Sequence, residues 1–265
     1  MKDTSKIIIS IFILAIFSYC IISLNEGNFL TTSVSMTQDK KIAWGIKRND
    51  THEQPDVGSK NKEILENNNG ICMGKNSEKN IYLTFDSGYE AGYMTKILDV
   101  LNQNQVKATF FITSHYLNTA SDQVKRMIDD GHIVGNHTVN HKSMPEISNE
   151  EIESEVMKLH QAVYEKFNYE MMYIRPPKGE FSERTLKKCT ELGYKTVMWS
   201  FAYCDWDEKK QPSISDAKKK ITENFHPGEI MLLHSNSKTN SEVLNDIIKE
   251  AINQGYSFKT LNEFQ

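Results

Sequence analysis

The chain has 265 residues, is 38% hydrophobic and 25% charged, and carries a formal net charge of -4. This is enough for one α/β domain of about 200 residues with extensions, and the mild acidity leaves no basic field for DNA or RNA, so nucleic acid is excluded as a partner. Of the four cysteines, Cys20 lies in an apolar N-terminal run, and Cys72, Cys189 and Cys204 have neither paired nor metal-type spacing; they read as isolated thiols.

In chain order, Lys2 and Lys6 flank an uncharged apolar run over residues 7–24. At about 1.5 Å per residue this run just crosses a bilayer core. Residues 1–24 are therefore expected to be a signal anchor with its amino end inside, or an export signal cut near Ser33-Val34-Ser35. Tyr19 stands where a lipoprotein signal has a small residue before its cysteine, which argues against lipidation at Cys20. Residues 25–78 are polar, with NNNG at 67–70 and scattered apolar residues such as Trp44 and Ile46, and read as a linker followed by an arm lying on the main domain.

From 79 to 265 a regular alternation predicts strands over 81–85, 108–113, 132–137, 172–176, 195–200 and 229–234, with a last short run at 257–260. Between them helical patterns cover 93–104, 121–130, 148–167, 182–192, 213–225 and 241–254. Ser148 with Glu151 reads as a capping box, and Gly131 and Gly193 as left-handed helix ends. The alternation implies a mostly parallel sheet, open or rolled. Reactive residues follow the first, third, fourth, fifth and sixth predicted strands. A barrel gathers strand ends at one mouth, so a barrel explains the pattern better than an open sheet.

The first strand delivers Asp86 to a glycine turn in IYLTFDSGYE, where the acid either caps the turn or serves as a buried base. His137 and His141, at i and i+4 in HTVNH, put two imidazoles on one side of a helical turn or tight loop; they suit one metal ion, with zinc a natural partner, or are surface histidines flanking a turn. Thr138 after the first histidine excludes the HExxH arrangement of metalloproteases. Arg175 before Pro176-Pro177 can hold a carboxylate ionised and oriented. His234 ends the apolar run EIMLLH and is either a satisfied core histidine or a proton donor. Asp205 in CDWDEK either orients that histidine or is a loop aspartate. Trp206 and Tyr89 either line the mouth at the strand ends or belong to the core.

The ordered set TFDSG, HTVNH, RPPKG, CDW and LLH resembles the polysaccharide deacetylase family, also called the NodB homology domain or carbohydrate esterase family 4, over about residues 79–265. WGIKRNDTHEQP, TFDSGYEAGY, SFAYCDWDEKKQP and LLHSNSKTN resemble more closely its sporulation branch, which removes the N-acetyl group of N-acetylmuramic acid in spore cortex peptidoglycan so that a muramic δ-lactam can close. The resemblance implies a distorted (β/α) barrel with fewer than eight units and a divalent metal ion, zinc or another divalent cation. It implies Asp86 as general base, His137 and His141 as metal ligands, and His234 as general acid. Arg175 would tune the base, Asp205 the acid, and the Lys178 backbone N–H would hold the oxyanion, Lys178 standing where the family usually has tyrosine. Ser87 occupies the position of the family's third, aspartate, metal ligand; a neutral hydroxyl is a poor ligand, so two histidines and water are expected to hold the ion, with weaker affinity and stronger Lewis acidity. The expected partners are peptidoglycan glycan strands and, through the N-terminal segment, the membrane, outside the cytoplasm. The alternatives are an N-acetylglucosamine deacetylase, of peptidoglycan or chitin type, and a metal-free glycan-binding module. A metal phosphoesterase lacks the acidic ligands of a two-metal site.

Overall fold

The computed structural model describes residues 39–49 and 51–264, and residues 41–265 form one compact unit. The predicted N-terminal segment over 1–24 lies outside the described residues. Among the described residues no helix is long and apolar enough to cross a membrane.

The elements run β1 (Ile42–Ala43), α1 (Ser59–Glu66), β2 (Gly70–Ile71), β3 (Asn80–Ser87), α2 (Met94–Gln103), β4 (Thr109–Ile112), α3 (Ser114–Thr119) and α4 (Ser121–Asp129). They continue with β5 (Ile133–Asn136), α5 (Asn149–Phe167), β6 (Tyr173–Ile174), β7 (Glu180–Phe181), α6 (Glu183–Glu191), β8 (Lys195–Val197), α7 (Ile214–Thr222), β9 (Glu229–His234), α8 (Lys238–Asn253) and β10 (Ser257–Phe258). The main sheet has the order β10-β3-β4-β5-β6-β8-β2, with β9 also pairing β3. Every pairing in it is parallel. Past β8 the chain bends to β9 through a parallel bridge, Phe201 to Met231. The expected roll is thus an α/β half-barrel of parallel strands.

Alternation of side chains along each strand sorts the apolar residues between two layers. Ile81, Leu83 and Phe85 of β3, with Phe110 and Ile112 of β4 and Met231 and Leu233 of β9, pack outward against α2, α4, α5 and α8. Tyr82, Phe111, Ile133, Tyr173, Val197 and Ile230 fill the concave interior. The same parity carries Asp86 and His234 inward at the carboxyl ends of their strands, while Ser87 shares the parity of Leu83 and Phe85. Gly135 in β5 permits this packing, since a Cβ there would meet the Phe111 ring at 2.6 Å.

Helix ends follow local chemistry. The Ser148 side chain accepts from the Glu151 N–H, but the Glu151 carboxylate pairs with Lys142 at 2.6 Å, so only half of the predicted capping box forms. Gly131 and Gly193 take left-handed φ values of 77° and 85° as predicted. The arm supplies a second cluster in which Trp44, Val57, Leu65 and Cys72 pack on Phe181, Leu186 and Met198. Its strand β2 joins the sheet edge against β8. Cys72, Cys189 and Cys204 are free thiols, as their spacing predicts.

Candidate active site

The strand ends surround a cleft of about 590 Å³ lined by Asp86, His137, His141, Lys178, His234 and, at its mouth, Trp206. Parallel β3 and β9 place Asp86 and His234 as register partners, side by side at the end of the pairing.

Arg175 is fully buried. Its Nη1 donates to Asp86 Oδ1 at 2.8 Å, its Nε to the Val197 carbonyl at 3.1 Å and its Nη2 to the Met198 carbonyl at 3.4 Å. The guanidinium lies over the Phe111 ring at 4.3 Å and near the Trp199 ring at 5.7 Å. Burial alone pushes the Asp86 pKa up; the Arg175 guanidinium above all, through its charge and its hydrogen bond, outweighs this and holds the carboxyl below the usual range. Oδ1 is thereby occupied, and Oδ2 stands 3.5 Å from His137 Nε2.

The HTVNH segment is a tight loop rather than a helical turn, with Thr138 at φ 68° and His141 at φ 55°. Asn136 Oδ1 accepts the Thr138 N–H at 2.9 Å. The buried Glu155 of α5 takes the Asn140 N–H at 2.7 Å and the Asn140 amide at 2.6 Å. These bonds hold both imidazoles inward. His137 Nδ1 faces the Arg175 carbonyl at 2.8 Å. A carbonyl only accepts, so Nδ1 carries the proton and Nε2 presents a lone pair. Burial lowers the pKa of His137, and burial first, then the nearby His137, pushes His141 down to about 4, keeping both neutral.

The two Nε2 atoms are 3.1 Å apart. Nitrogens on one tetrahedral zinc sit about 3.3 Å apart, given bonds of about 2.0–2.1 Å, so the pair fits a shared divalent cation. Among the described residues no group of three or more His, Cys, Asp or Glu side chains is arranged to hold a metal. Ser87 is fully buried and, among the described residues, its Oγ has no hydrogen-bond partner and the cleft lining does not include it. Among the described residues the two Nε2 atoms are the pair placed to share an ion.

His234 is held from the other side. Its Nδ1 donates to Asp205 Oδ1 at 2.7 Å and its backbone N–H to Asp205 Oδ2 at 2.9 Å. Asn240 of α8 donates to Asp205 Oδ2 at 2.6 Å, and its own Oδ1 accepts from the Tyr203 hydroxyl. Burial disfavours the imidazolium, but the adjacent Asp205 carboxylate and its hydrogen bond overcome that and raise the His234 pKa. With Nδ1 committed, Nε2 is the atom left for the cleft. Lys178 has a left-handed backbone (φ 61, ψ 5), and its N–H makes no backbone hydrogen bond among the described residues. At the mouth the Tyr89 hydroxyl donates to Glu208 at 2.5 Å and accepts from Asn236 at 2.9 Å. Tyr89 and Trp206 are both exposed, not core.

Sequence reasoning missed Glu155, Asn240, Asn236 and Trp199. Only Asn236 and Asn240, inside the quoted LLHSNSKTN, carried any signal.

A family model described as polysaccharide deacetylase matches residues 73–197. The peptidoglycan-N-acetylmuramic acid deacetylase PdaA of Bacillus subtilis is 40% identical over 226 residues, 85% of this chain and 86% of that protein. The chain therefore belongs to the polysaccharide deacetylase family and is a hydrolase. The solved structure of Bacillus subtilis PdaA, described as a family 4 carbohydrate esterase, matches with a TM-score of 0.83 at 40% identity, covering 85% of this chain and 97% of that one. A family 4 carbohydrate esterase from Bacillus anthracis matches with a TM-score of 0.72 at 38% identity, covering 85% and 96%.

Proposed function

We propose that this protein hydrolyses the N-acetyl group of N-acetylmuramic acid in peptidoglycan, outside the cytoplasm, releasing acetate and a free amine that can close to muramic δ-lactam in spore cortex. The observation that carries this reading is the pairing of Asp86 with His234 at adjacent strand ends, each with its own buried partner, Arg175 and Asp205. Arg175 favours the ionised form of the Asp86 carboxyl and Asp205 the protonated form of the His234 imidazole, and both side chains line the same cleft. That is the base and the acid an amide hydrolysis needs. The muramic substrate rests on the 40% identity to the Bacillus subtilis enzyme named for it.

In this mechanism Asp86 Oδ2 takes a proton from the water that attacks the acetyl carbon. The Lys178 N–H donates to the carbonyl oxygen as it gains charge. His234 Nε2 then protonates the sugar nitrogen, and the carbon–nitrogen bond breaks. His137 and His141 Nε2 would hold a divalent cation, zinc by its affinity for nitrogen, which supplies Lewis-acid polarisation of the acetyl carbonyl when bound. Asp86→Asn should abolish acetate release from purified peptidoglycan while circular dichroism still reports a folded protein. Undiminished release by that variant would refute the base assignment.

A further inference from the structure

Lys178 is an unexpected place for a long side chain. Its left-handed backbone, between Pro177 and Gly179, is disfavoured for any residue with a Cβ. Gly179 beside it is also left-handed, and a Cβ there would meet the Trp199 ring at 2.6 Å. The turn is therefore pressed against the cleft wall, and the exposed Lys178 side chain lines the cleft.

The other charged groups of the cleft are matched. Asp86 pairs with Arg175 at 2.8 Å and His234 with Asp205 at 2.7 Å. Glu180, the acid nearest Lys178 in sequence, pairs with Lys41 at 3.5 Å. Among the described residues the Lys178 ammonium takes part in no direct ion pair, though its charge reaches Glu180. A cation at the mouth of a mostly apolar cleft, in a chain of net charge -4, is an anion site by its chemistry. Aromatic walls at Tyr89, Trp199 and Trp206 strengthen its field relative to open water.

We propose that the Lys178 ammonium binds the carboxylate of the 3-O-lactyl group on the muramic residue being deacetylated. The assignment rests on the muramic substrate reading above. The acetamido group sits on C2 of the sugar and the lactyl ether on C3, the adjacent carbon. With the acetyl oxygen at the Lys178 N–H, the lactyl carboxylate falls within the sweep of the four-carbon stem of the same residue. One residue then reads both substituents, its backbone the amide and its side chain the acid. A lactyl group joined to a stem peptide is a neutral amide, and N-acetylglucosamine carries a hydroxyl at C3. Neither gives the ammonium an anion, so both should bind more weakly.

The test is steady-state acetate release by wild type, Lys178→Met and Lys178→Arg on three soluble glycans: muramic residues with a free lactyl carboxylate, the same glycan with that carboxylate as its methylamide, and an N-acetylglucosamine oligomer. Lys178→Met should raise KM on the free-lactyl glycan about tenfold more than on the methylamide, the size of one charge-assisted contact. Lys178→Arg should restore most of that difference. Added salt should raise the free-lactyl KM of wild type more than that of Lys178→Met. Equal losses on free and amidated glycans, or an unchanged KM in Lys178→Met, would overturn the lysine assignment and leave the muramic reading standing. Wild-type release from glucosamine residues alone would overturn the muramic reading and this assignment with it.

Discussion

Replacing Arg175 with methionine removes the cation that keeps Asp86 charged inside the sheet. Arg175 is fully buried and donates to Asp86 at 2.8 Å and to the Val197 and Met198 carbonyls at 3.1 and 3.4 Å. Methionine fills much of the volume over Phe111 but supplies none of these donors. Removing one partner of a buried ion pair costs about 3–5 kcal/mol, which for a domain of this size is a fall in Tm of about 6–20 °C. The loss should depend on pH with a definite sign. In wild type the folded pKa of Asp86 is lowered, so its stabilising contribution is complete above the ordinary carboxylate range and is lost only as pH falls through that lowered value. In Arg175→Met burial is no longer opposed by the guanidinium, and the folded pKa moves up. The penalty then grows as pH rises above the ordinary range, and acid relieves it. Thermal melts of chelator-treated protein should therefore show a narrower gap between wild type and variant at about pH 5 than at about pH 8. The double variant Arg175→Met/Asp86→Asn should recover part of the loss. A gap that does not change with pH, or a double variant whose loss is the sum of the two, would refute the coupling.

Asp205→Asn should move the alkaline limb of the kcat profile to lower pH, because burial then acts on His234 without the carboxylate at 2.7 Å that raises its pKa; an unmoved limb counts against His234 as the acid. Glu155→Gln should loosen the HTVNH loop by weakening the two Asn140 contacts and lower divalent-cation affinity by about tenfold or more. Competition with a chromophoric zinc chelator reads this directly, and unchanged affinity would remove Glu155 from the site.

The parts of this site that could be read in the sequence are those whose position is set by a strand. β3 and β9 are short apolar runs that stop at a reactive side chain, so Asp86 and His234 announce themselves at strand ends. The supports could not be read, because they depend on tertiary partners far along the chain. Glu155 lies in NEEIESEVMKL and looks like part of a solvated helix face, yet it is buried beneath the histidine loop. Asn240 meets Asp205 across 35 positions. The arm was opaque for the same reason: Trp44 and Leu65 follow no period, and they gain meaning only where the Trp44 indole donates to the Trp199 carbonyl at 2.8 Å. Strand parity also changed the view of Ser87. The motif suggests a metal-ligand position, and the fold buries the Ser87 hydroxyl without a hydrogen-bond partner among the described residues.

The measurement that bears most directly on the central claim is mass spectrometry of peptidoglycan fragments after incubation with the purified protein, using glycans with and without stem peptides. Loss of one acetyl group, located on muramic residues and absent with Asp86→Asn, is the predicted result. Acetyl loss confined to glucosamine residues, or none from either sugar in the presence of divalent cation, would contradict it.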